Sequence, residues 1–255
     1  MNILDKIIEH KQKEVEALKR NSPLSAVFSR TVLSLKHFLL DDTKTGIIAE
    51  FKRKSPSKGI INNRADVVEV TGAYTGYGAS CLSILTDSFF FGGSADDLRR
   101  ARVNEIPILR KDFIIDEYQV AESRAMGADV ILLIATCLSP HRVKELASFA
   151  KSLQLEVLLE IHSEEELGHI CDEVDLVGVN NRDLKTFRVD INRSIELSRK
   201  IPADKIRVAE SGIDNMETIE RFLQEGFQGF LIGEKFMREE NPGEAFRVFA
   251  EKMKK

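Results

Sequence analysis

The chain has 255 residues and a formal net charge of −4, so its overall charge gives no reason to expect binding to nucleic acid or to an anionic membrane. Hydrophobic residues make up 43% and charged residues 31%, which is typical of soluble globular proteins. The three cysteines, Cys81, Cys137 and Cys171, lie far apart in the sequence, which favours buried, reduced thiols over a disulfide framework or a zinc site. We therefore predict a cytoplasmic protein in which any anionic ligand is held by a local group of positive charges.

The first 45 residues are predicted to form a helical preamble. Residues 3–20 place apolar side chains at helical spacing with charged residues between them, as in an amphipathic helix. Those charges interrupt any signal-peptide core, and no apolar run has the length that a membrane span needs. Shorter apolar stretches at 24–28 and 33–40 complete the preamble.

From Gly46 onward, short aliphatic runs alternate with longer amphipathic segments, which is typical of repeated β-α units. The predicted strands are residues 46–51, 81–85, 106–109, 130–134, 156–160, 176–179, 206–209 and 229–232. The predicted helices include residues 120–126, 142–152, 193–199, 218–225 and 245–252. Eight such units favour a closed (β/α)8 barrel over an open doubly wound sheet. We expect one domain over 1–255, with the preamble at 1–45 and the barrel at 46–255.

Polar residues fall at the carboxyl ends of the predicted strands, where barrel enzymes carry their active sites. Side chains alternate between the two faces of a strand, so one face can be followed to its end. Doing so places two lysines, three carboxylates and an asparagine at one mouth, namely Glu50, Lys52, Lys111, Glu160, Asn180 and Glu210. Each residue alone is more typical of a solvated strand end, and a shift of one residue would turn the set outward. Six at the same end predict a catalytic site in which a lysine among carboxylates acts as a general acid.

Glycines follow the last two predicted strands, in Ser211-Gly212 and at Gly233, and barrels often bind phosphate with those loops. A basic segment, residues 53–59, follows the first strand and includes Lys54 and Ser55. It is either a solvated loop or a mobile clamp for an anion, and it lacks the Walker spacing of nucleotide-binding loops.

Other chemistry-bearing residues give weaker signals. The five histidines show no metal-binding spacing, and surface positions are expected for His10, His37, His141, His162 and His169. Ser211 lacks the sequence context of a nucleophile. The run Phe89-Phe90-Phe91 suits core packing and a pocket for an aromatic ring equally well.

The segment 48–57, Ile-Ala-Glu-Phe-Lys-Arg-Lys-Ser-Pro-Ser, resembles the signature of indole-3-glycerol phosphate synthases. Further similar segments lie at 109–113, 159–162, 178–184, 209–213 and 230–233, so the resemblance covers essentially the whole chain. It implies the substrate 1-(2-carboxyphenylamino)-1-deoxyribulose 5-phosphate. The ring closes onto the ribulose carbonyl, and carbon dioxide and water then leave. No metal or organic cofactor is expected.

The same resemblance implies roles for the residues of the mouth. Lys111 would be the general acid at the carbonyl oxygen, and Lys52 would pair with the substrate carboxylate and protonate the departing hydroxyl. Glu160 would be the base of the dehydration, with Glu50 as its rival. Glu50 and Glu210 would orient the lysines, and Asn180 would help to hold the substrate.

The resemblance also implies a binding site around these groups. Phosphate would be bound by Ser211, Gly212 and Gly233, with Lys54 or Arg182. The aromatic ring would lie against Phe91, Phe113 and Leu132, which favours the pocket interpretation of the phenylalanine run. Glu234 departs from relatives that have a small residue there, and we expect its side chain to point away from the phosphate.

Two alternatives compete with this function. Another phosphate-sugar barrel enzyme, such as a phosphoribosyl isomerase, would keep the glycine loops but has no need of the pair Glu50 and Lys52. A non-catalytic binder of phosphate ligands would be expected to have lost a catalytic position, and none is lost here. We expect a monomer that acts on a small molecule, without nucleic-acid or membrane partners. From the apolar stripe of Leu4, Ile7 and Ile8, we also expect the first helix to cover the mouth.

Overall fold

The computed structural model describes residues 3–21, 30–183 and 188–253 of the chain. Within these ranges, eight parallel strands form a closed barrel in which each strand pairs with its neighbours in the chain and the last pairs with the first. The strands are β1 (Ile47–Phe51), β2 (Cys81–Leu85), β3 (Ile108–Lys111), β4 (Val130–Ile134), β5 (Glu156–Ile161), β6 (Leu176–Asn180), β7 (Ile206–Glu210) and β8 (Gly229–Ile232). The predicted (β/α)8 barrel is therefore confirmed.

Helices surround the barrel and connect its strands. They are α1 (Ile3–Asn21), α2 (Leu35–Leu40), α3 (Val67–Gly76), α4 (Ala95–Ala101), α5 (Glu117–Met126), α6 (Pro140–Ser152), α7 (Ile191–Ser198), α8 (Met216–Gln224), α9 (Glu234–Met237) and α10 (Pro242–Met253). The 3₁₀ helix Glu164–His169 takes the place of an α-helix between β5 and β6. No helix in these ranges combines the length and the apolar character needed to cross a membrane.

All five helices predicted from the apolar pattern begin two or three residues earlier than that pattern indicates, and α5 and α6 show why. The side chain of Asp116 accepts a hydrogen bond from the backbone N–H of Tyr118, so α5 starts at Glu117 rather than at residue 120. Ser139 caps α6 in the same way, with Pro140 in its first turn. The first turns of these helices are largely polar, so their start is set by the capping residues and not by apolar spacing.

The second helix of the preamble closes the amino-terminal end of the barrel. Leu35 and Leu39 of α2 pack into the same apolar cluster as Ile48 and Leu158 from inside the barrel. Asp129 fixes the preceding segment, since its carboxylate accepts bonds from the backbone N–H of Leu33 at 2.8 Å and from Arg30 at 2.7 Å. The predicted apolar stretch at 24–28 lies outside the described residues. The division of the chain at residue 46 stays a prediction.

The barrel interior shows which face of each strand points inward. Ile48, Leu109, Leu132, Leu158, Val208 and Leu231 lie in one interior cluster, separate from the larger core between strands and helices. The structure thus places inward the face that the alternation predicts. Because side chains two residues apart share a face, the polar residues that end these strands point into the same mouth.

Candidate active site

A cavity of about 370 Å³ opens at the carboxyl ends of the strands. Its lining includes all six polar residues predicted to meet there, namely Glu50, Lys52, Lys111, Glu160, Asn180 and Glu210. They come from five strands and the residue that follows β1, over a span of 160 positions in the sequence. The closed sheet therefore brings together side chains that the chain keeps far apart.

Lys111, at the end of β3, lies at the centre of this group. Its ammonium donates to Glu160 Oε2 at 2.7 Å and to Glu210 Oε2 at 3.1 Å. Burial alone would lower the pKa of Lys111, but the charges of Glu160, Glu210 and Glu50 outweigh it and raise that pKa well above its ordinary value. Lys111 is thus held in the protonated form, which is the form required of a general acid.

Glu160 is held by donors on both carboxylate oxygens. Oε1 accepts a hydrogen bond from Asn180 Nδ2 at 3.0 Å and lies 3.2 Å from Nε2 of His162, while Oε2 accepts from Lys111. Burial would raise the pKa of Glu160, but the charges of Lys111 and His162 outweigh it and lower that pKa well below its usual range. Asn180 is fixed in turn, because its Oδ1 accepts a bond from the backbone N–H of Arg182 at 3.0 Å. The carboxylate is therefore ionised and fixed in orientation.

Glu210, at the end of β7, is the third carboxylate around Lys111. Burial raises its pKa, Lys111 lowers it, and the neighbouring charge of Glu160 raises it again, so the pKa of Glu210 lies above its usual value. The side chain fits only because residue 178 is glycine: a Cβ built on Gly178 would lie 2.1 Å from Glu210 Oε1. Gly178 therefore provides the space that Glu210 occupies.

We expect Gly178→Ala to lower kcat by about ten- to a hundredfold, because the added methyl group must displace Glu210 from Lys111 and small displacements of catalytic groups are costly. Steady-state kinetics on the folded variant measures this loss. Gly72→Ala is the matched control, since a Cβ at Gly72 in α3 meets nothing within 4 Å. Unchanged kcat in Gly178→Ala would show that the position of Glu210 does not matter for turnover.

A second acid-base pair lies on β1 and just beyond it. Lys52 donates to Glu50 Oε1, and its side chain is 19% exposed, so the ammonium can meet a ligand in the cavity. A Cβ at Gly233 would lie 2.5 Å from the same Glu50 oxygen. Gly233 therefore leaves the space that the Glu50 side chain occupies. The sequence analysis had predicted this glycine for another reason, as part of a phosphate-binding loop after β8.

Apolar side chains form another wall of the cavity. The rings of Phe91 and Phe113 lie with centroids 6.0 Å apart, and Leu132 lines the same space, so all three predicted positions face the cavity. Leu4 and Ile7 of the predicted stripe line it together with Ile3, so the first helix covers the mouth as predicted, although Ile8 is not among the lining residues. An aromatic ligand would be enclosed between these groups.

Lys11, a residue that the sequence analysis missed, connects α1 to this wall. Its side chain is buried, and its ammonium lies 3.1 Å from Asp87 Oδ2 and 3.0 Å from Asp112 Oδ1. Asp87 accepts from the backbone N–H of Phe91 at 3.2 Å, and Asp112 accepts from that of Phe113 at 2.8 Å. Lys11 lies midway between Ile7 and Val15 at the four-residue spacing of the buried positions of α1, and this spacing was the sequence signal that could have found it. Ser83 and Leu85 lie on one face of β2, and continuing their two-residue repeat past the strand end would have indicated Asp87.

The opposite end of the cavity contains the predicted phosphate-binding residues. Ser211, Gly212, Gly233, Arg182 and Ser55 all line it. Ser211 and Gly212 have φ of 69° and 68°, a left-handed turn held by a hydrogen bond from Asn181 Nδ2 to the carbonyl of Ser211 at 2.6 Å. This turn presents backbone at the cavity, as a phosphate site requires.

Of the two cations considered for the phosphate, Arg182 lines the cavity, whereas Lys54 is not among the lining residues and its ammonium donates to the carbonyl of Phe89 at 3.0 Å. The expectation for Glu234 was wrong. Glu234 does not point away: it lines the cavity, with its carboxylate 3.5 Å from Lys58 and 3.8 Å from Arg182. The basic segment after β1 contains a short antiparallel pair, Lys54–Ser55 with Gly59–Ile60, and brings Lys58 to Glu234. These cations offset the charge that was expected to turn Glu234 outward.

The histidine expectation was also wrong at one position. His162 is 10% exposed and lies between Glu160 and Glu166, whereas His141 is 83% exposed. Among the residues that the structure describes, no group of three or more His, Cys, Asp or Glu side chains is arranged to hold a metal ion.

Comparison with known proteins identifies close relatives. A sequence model of a family described as indole-3-glycerol phosphate synthase matches residues 4–249. The indole-3-glycerol phosphate synthase of Bacteroides thetaiotaomicron is 46% identical over 254 residues, covering 97% of each chain, and that of a Polaromonas species is 43% identical, covering 96% of each. Among solved structures, 3-hexulose-6-phosphate synthase from Salmonella typhimurium has a TM-score of 0.63 at 10% identity, over 80% of this chain and 96% of that one. At that identity the likeness shows the fold alone.

Proposed function

The chain belongs to the indole-3-glycerol phosphate synthase family, and we propose that its barrel mouth converts 1-(2-carboxyphenylamino)-1-deoxyribulose 5-phosphate to indole-3-glycerol phosphate with the six polar residues described above. This activity makes it a carboxy-lyase of tryptophan biosynthesis. The observation that carries the residue assignment is the ammonium of Lys111 between two buried carboxylates in a cavity that also offers an aromatic wall.

Ring closure requires a proton at the ribulose carbonyl oxygen while a ring carbon attacks the carbonyl carbon. Lys111 delivers that proton, since Glu160 and Glu210 keep it protonated and aim it into the cavity. Loss of carbon dioxide then restores the aromatic ring. A positioned acid of this kind contributes about a hundred- to ten-thousandfold in rate.

Lys52 binds the substrate carboxylate and later protonates the hydroxyl that leaves as water. Its partner Glu50 keeps the ammonium near the cavity, and a carboxylate ligand would share it. The dehydration also needs a base, for which Glu160 is proposed and Glu50 is the rival. Glutamine variants distinguish them, because only loss of the true base would stop the reaction after carbon dioxide is released.

The phosphate of the substrate binds at the left-handed turn of Ser211 and Gly212 and beside Gly233, with Arg182 as the nearby cation. Glycine lets a backbone N–H approach phosphate oxygens closely. Ser55 lines the same cavity and is proposed as a further contact. The aromatic ring lies against Phe91, Phe113 and Leu132 at the other wall.

We expect Gly212→Ala to raise KM for the substrate about tenfold with little change in kcat. The residue has φ of 68°, and a Cβ there would lie 2.4 Å from Val189 Cγ1, so the turn must shift. Steady-state kinetics measures both constants. Gly168→Ala is the control, since a Cβ there meets nothing within 4 Å. A large fall in kcat at unchanged KM would contradict a role in phosphate binding.

Incubating the purified protein with the named substrate, and following the rise of indole fluorescence, tests the proposed function directly. A phosphoribosyl isomerase or a non-catalytic phosphate binder would give no indole fluorescence, and the binder would show saturable binding without turnover. Turnover after treatment with EDTA tests the expectation that no metal is needed, and turnover after extensive dialysis without added cofactor tests the expectation that no organic cofactor is needed.

The protein is further proposed to act in the cytoplasm as a monomer. Cys81, Cys137 and Cys171 are free thiols, which suits a reducing compartment, although the first alone is fully buried. Size-exclusion chromatography with light scattering tests the monomer, and cell fractionation tests the compartment.

A further inference from the structure

His162 lies directly behind one of the proposed catalytic carboxylates. It follows β5, whose last inward side chain is Glu160, and it is not among the residues that line the cavity. Its side chain is 10% exposed. The imidazole therefore does not meet substrate in this arrangement, and any effect it has on the reaction must pass through Glu160.

The ring of His162 has a carboxylate on each side. Nε2 lies 3.2 Å from Glu160 Oε1, and Nδ1 lies 3.6 Å from Glu166 Oε2. Glu166 is itself held, because its Oε2 accepts a hydrogen bond from the backbone N–H of His162 at 2.6 Å. Thr136 Oγ1 approaches Nδ1 at 3.3 Å and donates to the other oxygen of Glu166. The ring thus lies between two carboxylates, with Thr136 beside Nδ1 and Glu160 beside Nε2.

We propose that His162 is a positioning residue of this site: its imidazolium, with Nε2 at 3.2 Å from Glu160 Oε1, forms an ion pair with that carboxylate and so fixes its orientation and its ionised state. The inference rests on the proposed function, in which Glu160 is a catalytic group. Asn180 and His162 then share Oε1, which leaves Oε2 to Lys111.

The charged groups around the ring favour its protonated form. Burial would lower the pKa of His162, but the carboxylates of Glu160 and Glu166 outweigh burial and raise it to about 9. Other titratable groups near these carboxylates are Cys137, whose thiol pKa is raised chiefly by its own burial, His169, whose Nδ1 lies 3.1 Å from the carbonyl of Glu166, and Lys111 beyond Glu160. His162 in turn lowers the pKa of Glu160. At neutral pH the imidazolium of His162 therefore lies between two carboxylates, those of Glu160 and Glu166.

The test replaces His162 by glutamine, which keeps an amide donor but cannot carry the charge. We expect kcat to fall about tenfold or more, because Glu160 loses the positive charge beside it. KM should change less than about threefold, because His162 does not line the cavity. The pH profile should change at both ends. The acid limb moves to higher pH, because Glu160 loses a neighbouring positive charge. The alkaline limb near pH 9, where wild type loses the proton of His162, disappears.

Two further variants make the result specific. His141→Gln is the matched control. The side chain of His141 is 83% exposed and its Nδ1 lies 3.6 Å from Glu145 Oε1 on the surface, so the kinetics of this variant should equal those of wild type. Glu166→Gln removes the carboxylate behind the ring, and should move the alkaline limb to lower pH by lowering the pKa of His162. A merely structural role would lower stability without moving either limb.

Nuclear magnetic resonance titration of the imidazole, assigned by its loss in His162→Gln, gives a measurement independent of activity. A ring that titrates near pH 9, together with the shifted kinetic limbs, supports the proposal. A ring that titrates near its ordinary pKa of about 6.5 overturns it, as does a folded His162→Gln with wild-type kcat and pH limits. Wild-type protein that makes no indole-3-glycerol phosphate would refute the proposed function instead, while the titration would still report on the contact with Glu160.

Discussion

Lys111→Ala is expected to lower kcat by about a hundred- to ten-thousandfold, which corresponds to about 3–5 kcal/mol of transition-state stabilisation. The ammonium bridges Glu160 and Glu210, so its removal takes away the acid and leaves two buried carboxylates facing each other. We expect those carboxylates to relieve their repulsion by taking up a proton at Glu210, whose pKa is already raised, while His162 favours the ionised form of Glu160. Single-turnover kinetics, followed by indole fluorescence, separates this chemical step from substrate binding.

Control variants must distinguish loss of the general acid from loss of the folded structure. Lys111→Met keeps most of the side-chain volume and should lose turnover equally, since the proton donor and not the packing is at issue. Lys144→Ala removes an exposed lysine of α6 and should behave as wild type. Near-wild-type turnover in a folded Lys111→Ala or Lys111→Met protein would reject Lys111 as the acid.

The strand pattern was sufficient to predict where the six polar residues meet. β2, β4 and β8 have the predicted bounds, and the alternation along the strands placed Glu160 and Glu210 inward with no knowledge of their partners. The reason is local: a parallel strand has a two-residue repeat, and every strand of a closed barrel ends at the same mouth. Register and convergence therefore follow from short stretches of sequence.

The errors at the site concern side-chain contacts that the spacing of residues along the chain does not show. Glu234 was expected to point outward because the positions of Lys58 and Arg182 were unknown, and these cations make an inward carboxylate tolerable. His162 was expected at the surface, although the alternation through Leu158 and Glu160 extends to it and places it on the same side of the chain. Spacing within a segment could not show that Glu166 and Thr136 would enclose it.

Lys11→Met is expected to lower the free energy of unfolding by about 3–5 kcal/mol, because Asp87 and Asp112 would lose a partner in a site that excludes water. Both carboxylates are 1% exposed, and the lysine is equally buried. Burial would lower the pKa of Lys11, yet the two aspartates outweigh burial and raise it. Methionine keeps the volume of the side chain, so chemical denaturation measures the loss of the charge with little contribution from a cavity.

The pH dependence of that difference identifies its source. Burial would raise the pKa of Asp112, but Arg110 and Lys11 outweigh it and hold that pKa at about 2. A carboxyl with a depressed pKa contributes stability above its unfolded pKa of about 4, and loses that contribution as pH falls toward the folded value. The difference in unfolding free energy between wild type and Lys11→Met should therefore be largest at neutral pH and should decrease between about pH 4 and pH 2. A gap that does not depend on pH would point to packing instead of charge.

The same substitution should raise KM for the substrate while kcat changes less. Lys11 holds α1 over the mouth, and its two aspartates hold the backbone of Phe91 and Phe113, so one ammonium fixes both the cover and the aromatic wall. Lys13→Met is the control on the same helix, because Lys13 is 73% exposed and pairs with Glu9 on the surface. Wild-type KM in a folded Lys11→Met protein would mean that α1 covers the cavity without contributing to binding. A raised KM in Lys13→Met as well would assign the effect to the stability of the helix and not to its attachment at Lys11.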